Sequence, residues 1–143
     1  MTARFSALIL GAAMLTASSA LAHHSFAMYD RSKTVTLTGT VKDFIWTAPH
    51  VTIVVLADNT RNGPVTWQVE GSSPIVLARG GWTPGIMRPG DKIALGIHPR
   101  RDHAAGGLLA DEQQMLVNGQ PPKGVLSLYP LKEEPAISDS GVP

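Results

Sequence analysis

The sequence predicts a mainly β domain: a five-stranded antiparallel barrel with one short helix between its third and fourth strands. Three observations carry this. The stretch Thr34 to Glu70 alternates small polar and apolar residues in three runs separated by two turn-like breaks, the pattern of half-buried strands. A helix-like segment, Ser72 to Gly81, follows, and then two further alternating runs. Charged residues are only 16% of the 143-residue chain, while Gly and Pro are plentiful, which suits short strands joined by tight turns.

The first strand is expected from Thr34 to about Ile45, with Val35, Leu37 and Val41 on one face. Gly39 falls on that apolar face, where a missing side chain marks a bend or bulge. The alternation slips at Lys42-Asp43-Phe44-Ile45, so the strand is expected to change face there. Trp46 to His50 is a break, because Pro49 lacks an amide donor and restricts Ala48. Strand two is expected from Val51 to Leu56 and strand three from Val65 to Glu70, with the turn-rich loop Asp58 to Pro64 between them. Ser73 in a cap position, Pro74 at the first helical position and Gly80-Gly81 at the end predict a helix from Pro74 to Arg79. The turn Arg88-Pro89-Gly90-Asp91 leads into strand four, Lys92 to His98. Pro99 to Gly107 reads as a long polar hairpin loop and Leu108 to Val117 as strand five.

The ends read differently. Arg4, the apolar run Phe5 to Leu15 and the small-x-small site Ala20-Leu21-Ala22 form a signal peptide over residues 1–22, with cleavage expected after Ala22. An arm (23–33), the β domain (34–119) and a Pro-rich, extended tail (120–143) would follow, in a periplasmic or secreted protein. There is no cysteine, so thiol redox chemistry, thiolate metal sites and disulfides are excluded. The chain carries 12 basic and 11 acidic residues, and loss of Arg4 with the leader balances them. That balance speaks against electrostatic binding to nucleic acid or to an anionic membrane.

Three strands, a helix and two more strands is the order of an OB-fold, and the chain resembles that architecture from Val35 to Asn118. The resemblance implies a binding groove across strands two and three, flanked by the loops Asp58 to Pro64 and Pro99 to Gly107. The blocks HHSFAMYD, GTVKDFIWTAPHVTI, WQVEGSSPIVLARGGWTPG and RPGDKI also resemble a family of small exported bacterial proteins that is a domain of unknown function. That likeness implies no reaction.

Candidate chemistry centres on nitrogen ligands and aromatic faces. Cleavage after Ala22 would create an amino-terminal His23, whose α-amino group and imidazole, with one more imidazole, make a three-nitrogen copper site, a histidine brace. His24, His50, His98 and His103 are the other histidines, each also readable as an ordinary loop or strand-end residue. Met28 and Met115 are better read as gap fillers than as ligands of a blue-copper centre. Trp46 and Trp82, at turns, are candidates for a stacking surface, whereas Trp67 shares a face with Val65 and Val69 and reads as core. Arg100 and Arg101, and less directly Arg79 and Arg88, are candidates to receive an anion or a partner's carboxylates. Asp43 and Glu70 are a conceivable acid-base pair, and Ser72 and Ser73 lack a nucleophile elbow. These observations favour a non-enzymatic module docking a small ligand or a periplasmic protein through Trp46, His50, Trp82, Arg100 and Arg101. Copper handling through His23 is the alternative.

Overall fold

Alternation of the kind found from Val35 onward forces one face of each strand inward, and the barrel is the way these short strands bury that face together. The computed structural model describes residues 26–58 and 63–125. The expected signal peptide, His23, His24 and the residues after Val125 lie outside that range. A 3₁₀ turn at Phe26–Met28 precedes β1 (Val35–Ile45), β2 (Thr52–Ala57), β3 (Val65–Glu70), helix α1 (Pro74–Arg79), β4 (Lys92–Pro99), β5 (Gly106–Leu109) and β6 (Met115–Val117).

β1 pairs antiparallel with β2 through Gly39 to Ile45 and with β4 through Val35 to Thr40. β2 pairs with β3, β3 with β5 in parallel, and β5 with β4, which returns to β1. This closed order, with α1 between β3 and β4, is the OB-fold. The antiparallel expectation therefore fails at one seam, β3 against β5.

Gly39 is the hinge of β1. It is opposite Ala57 of β2 and Ile93 of β4, and a Cβ there would strike the Leu56 carbonyl oxygen. Two residues later the register jumps between Val41 and Asp43, leaving Lys42 as a bulge where the sequence loses its alternation. Leu37, Val41, Ile53, Val55, Val69, Leu95 and Ile97 are each at most 1% exposed and form the centre of the core. Ile93 and Trp67 join them, while Val35 packs from the side and Leu109, not Leu108, belongs to the main cluster.

One expectation is corrected. The single fifth strand is divided, because Asp111 caps a turn: its Oδ1 accepts the Gln113 amide at 2.8 Å and its carbonyl accepts the Gln114 amide at 3.2 Å. Both pieces, β5 and β6, still pair with β4. Tyr29 and Val125, on either side of these strands, are buried as well. Helix α1 follows the reading from Ser73, Pro74 and Gly80, although the Ser73 side chain makes no cap hydrogen bond.

Candidate functional site

Strand periodicity puts Thr52, Thr66, Gln68 and Glu70 on the outer face of the barrel, since Ile53, Val55, Trp67 and Val69 point in. Across that face the register sets Thr52 beside Glu70. The loop before β2 and the loop between β4 and β5 rise on either side, so an open groove of about 650 Å³ forms over β2 and β3. Its walls are Thr47, Ala48, Pro49 and His50 on one side, Arg100, Ala104, Ala105 and Gly106 on the other, with Tyr29 at one end. The Ala48–Pro49 peptide is cis.

Tyr29 reaches the groove because the arm is stitched to β4. The Asp30 amide donates to the Pro99 carbonyl and the Arg101 amide to the Met28 carbonyl, both at 2.8 Å, and Tyr29 bridges to Arg100. The Tyr29 hydroxyl then donates to Glu70 Oε2 at 2.8 Å. Burial, and next the Glu70 carboxylate, push the phenol up to about 12, so the tyrosine keeps its proton.

The other Glu70 oxygen, Oε1, lies 3.1 Å from His50 Nδ1, which is also 3.1 Å from the Gly71 carbonyl oxygen. His50 is brought there by the backbone. Val51 and Gly71 continue the β2–β3 ladder, with the Gly71 amide donating to the Val51 carbonyl at 2.8 Å. The Phe26 ring meets the His50 ring edge-on, with centroids 6.1 Å apart.

The expected residues scatter around this cluster. His50 and Arg100 line the groove. Arg100 is paired to Asp102, which raises the guanidinium and holds the carboxyl well below its usual range. Arg101 is exposed and 3.9 Å from Asp30. His98 donates from Nδ1 to the Lys33 carbonyl at 2.6 Å, and His103 is exposed in the loop with φ of 60°. Arg79 and Arg88 are exposed outside the groove.

Trp82 is corrected from rim to core. It is 2% exposed, which its indole tolerates because Nε1 donates to the Glu112 carbonyl at 3.0 Å. Trp46 is half-buried, 5.8 Å from Phe44 and packed on the same side, so the two indoles do not make a stacking platform over the groove. Asp43 lies opposite Val54 and bonds its neighbour's amide, away from Glu70. Ser72 donates to Glu112.

Glu70 and Tyr29 are the functional candidates that sequence reasoning placed elsewhere. Glu70 has a signal, a charged residue in an outward register at the end of a strand; its partners, far off in the chain, leave none. Among the described residues no group of three or more His, Asp or Glu is placed to hold a metal, and His23 and His24 fall outside them.

No curated protein matches the sequence. Among solved structures, the chain is similar to the mitochondrial single-stranded DNA binding protein Rim1 of S. cerevisiae, with TM-score 0.45 and 8% identity over 62% of this chain and 95% of that one. A selenomethionine-labelled crystal structure of the same yeast protein gives TM-score 0.42 and 9% identity over 59% and 92% of the two chains. Residues 12–111 match the model of a family of unknown function, DUF6152, and the chain belongs to that family.

Proposed function

We propose that the protein is a non-enzymatic binding module of the periplasm that takes a small, uncharged, hydroxyl-rich ligand in the groove over β2 and β3. One observation carries the reading: hydroxyls of Thr47, Thr52 and Thr66 and the amide of Gln68 share a 650 Å³ groove in which the charged groups are already engaged. Glu70 accepts from Tyr29 and lies within 3.1 Å of His50 Nδ1, and Arg100 is paired to Asp102, so a neutral ligand meets donors and acceptors without displacing a counter-ion. A phosphate backbone would meet a single paired guanidinium and an acidic wall, which argues against nucleic acid here. The same engagement makes Glu70 and Tyr29 a rigid wall rather than an acid-base pair.

The test is amide shift mapping of the processed chain against a defined panel of mono- and disaccharides. Saturable shifts in residues 47–52, 66–70 and 104–106, weakened about fivefold by Gln68→Ala through loss of one hydrogen bond, are expected. A panel that leaves these amides unmoved overturns the reading.

A second reading, copper handling through an amino terminus created at His23, is favoured by one contact. Phe26, three residues further on, packs against His50. Cu(II) titration of the chain beginning at His23, beside the same chain with one extra leading residue, decides it: equally weak binding by both removes this reading.

A further inference from the structure

A second hollow opens behind the arm. It has a volume of about 250 Å³ and is lined by Phe26, Arg31, Gly71, Ser72, Leu108 and Leu109, none of which lines the groove over β2 and β3. Phe26 stands between the two, its ring edge-on to that of His50 with centroids 6.1 Å apart.

The floor is apolar for a reason of register. Side chains alternate along a strand, so Leu109, which joins the core cluster, leaves Leu108 on the outer face of β5. Leu108 is buried there all the same, outside that cluster, while Phe26 at the side of the hollow is 41% exposed. A ring left half in water beside a sheltered leucine is stabilised when another apolar group covers it.

The backbone wall is largely engaged. The Gly71 amide donates to the Val51 carbonyl at 2.8 Å, the Gly71 carbonyl oxygen lies 3.1 Å from His50 Nδ1, and the Ser72 carbonyl accepts the Val51 amide at 3.1 Å. The acids around it are engaged too: Ser72 gives its hydroxyl proton to Glu112, and Glu70, beside Leu108 in the parallel ladder, turns its oxygens to Tyr29 and His50. Arg31 differs. Among the described residues no carboxylate pairs with its guanidinium, since Asp30 next to it faces Ser32, Lys33 and Arg101 instead. An unpaired guanidinium offers two parallel donors, the fork that fits both oxygens of a carboxylate.

We propose that this hollow is a second binding site, for a small monocarboxylate with a short aliphatic or aromatic body: the carboxylate on Arg31, the body between Phe26 and Leu108. At roughly 30 Å³ for a water-sized group, a volume of about 250 Å³ admits about eight such groups, the size of hexanoate or benzoate. Its anionic head and apolar body separate this ligand from the neutral, hydroxyl-rich one of the groove, and the site does not depend on that reading.

The test is amide shift mapping of the processed chain with sodium hexanoate, hexanol and sodium acetate. Hexanoate is expected to move the amides that line the hollow saturably; acetate, a head without a body, and hexanol, a body without a charged head, should bind at least about fivefold more weakly. Arg31→Gln should weaken hexanoate about fivefold and leave hexanol unchanged, through loss of the charge-assisted pair. Phe26→Ala should weaken both by a similar factor. The two side chains are exposed and outside the core cluster, so unshifted amides elsewhere in each variant report an intact fold. The proposal is overturned if hexanoate leaves the lining amides unmoved, if Arg31→Gln binds hexanoate as well as the native chain does, or if acetate or hexanol matches hexanoate.

Discussion

The hydroxyl of Tyr29 faces two demands at once: its residue is only 5% exposed, and its proton is given to Glu70. Both hold the phenol protonated, up to about 12 against an ordinary value of 10.0. A group whose folded-state value is raised contributes its stability in full below the unfolded value and loses it as pH climbs. The margin by which the native chain exceeds Tyr29→Phe, about 1.5 to 3 kcal/mol at neutral pH for a hydrogen bond to a charged acceptor, should therefore persist to about pH 10 and shrink between 10 and 12. Urea titrations of both chains across that range measure it. The tryptophans offer a second comparison. Trp82 Nε1 donates to Glu112, whereas Trp67 Nε1 is buried and has no partner among the described residues. Trp82→Phe strands the Glu112 carbonyl and Trp67→Phe removes an unpaired donor, so the first should cost ~1 kcal/mol or more beyond the second by thermal or urea unfolding. At this scale the sequence was partly legible. His50 could be placed at a strand end because the break at Pro49 precedes strand two, and Trp67 in the core because it alternates with Val65 and Val69. Trp82 did not, because burial at a turn depended on a carbonyl thirty residues away.

β1 and β5 both depend on glycine, for different reasons. In β1 the Cβ of Gly39→Ala would strike the Leu56 carbonyl oxygen and come within 2.8 Å of Val55 Cγ1; two backbones must part, at a cost of about 2 kcal/mol in unfolding free energy. In β5 the neighbours differ. A Cβ on Gly107 meets Ile97 Cδ1 at 2.8 Å and the His98 carbonyl at 3.1 Å, inside the sheet, whereas one on Gly106 meets first the Cδ of Arg100 at 2.9 Å, which can swing into solvent. Gly107→Ala should lower the melting temperature more than Gly106→Ala, and the reverse order would show that the seam gives more readily than the groove wall. β1 could be read from its pattern because the slip after Val41 and the glycine on the apolar face are local signals. The division between β5 and β6 was not legible. The apolar residues on either side of Asp111 to Gln114 extend one another's run, and only the Asp111 turn, closed by its own side chain, separates them. The start of β5 was hidden too, since Gly106 and Gly107 read as loop and become strand because β3 offers them a parallel edge and Pro99 of β4 pairs with Gly107.

The whole barrel is held by pairings between distant segments: Val35 with Ile97, Gly39 with Ile93, Gln68 with Gly106. Its class was visible in the sequence because five alternating runs and a helix in that order have few ways to close. Of the two loops expected to flank the groove, Pro99 to Gly107 does so, while the other wall is Thr47 to His50; the arm that completes it is joined through backbone bonds to Pro99 and Arg101 that no side-chain pattern encodes. The parallel seam of β3 with β5 also governs how the molecule comes into being. Neither flank of that seam can be satisfied until the segment after Ala105 has left its source and swung back, so the early strands must wait with an open margin. Refolding from denaturant should accordingly be slow for a chain of this size, and dilution rather than haste should decide the yield, because two half-made copies offer each other the same bare margin.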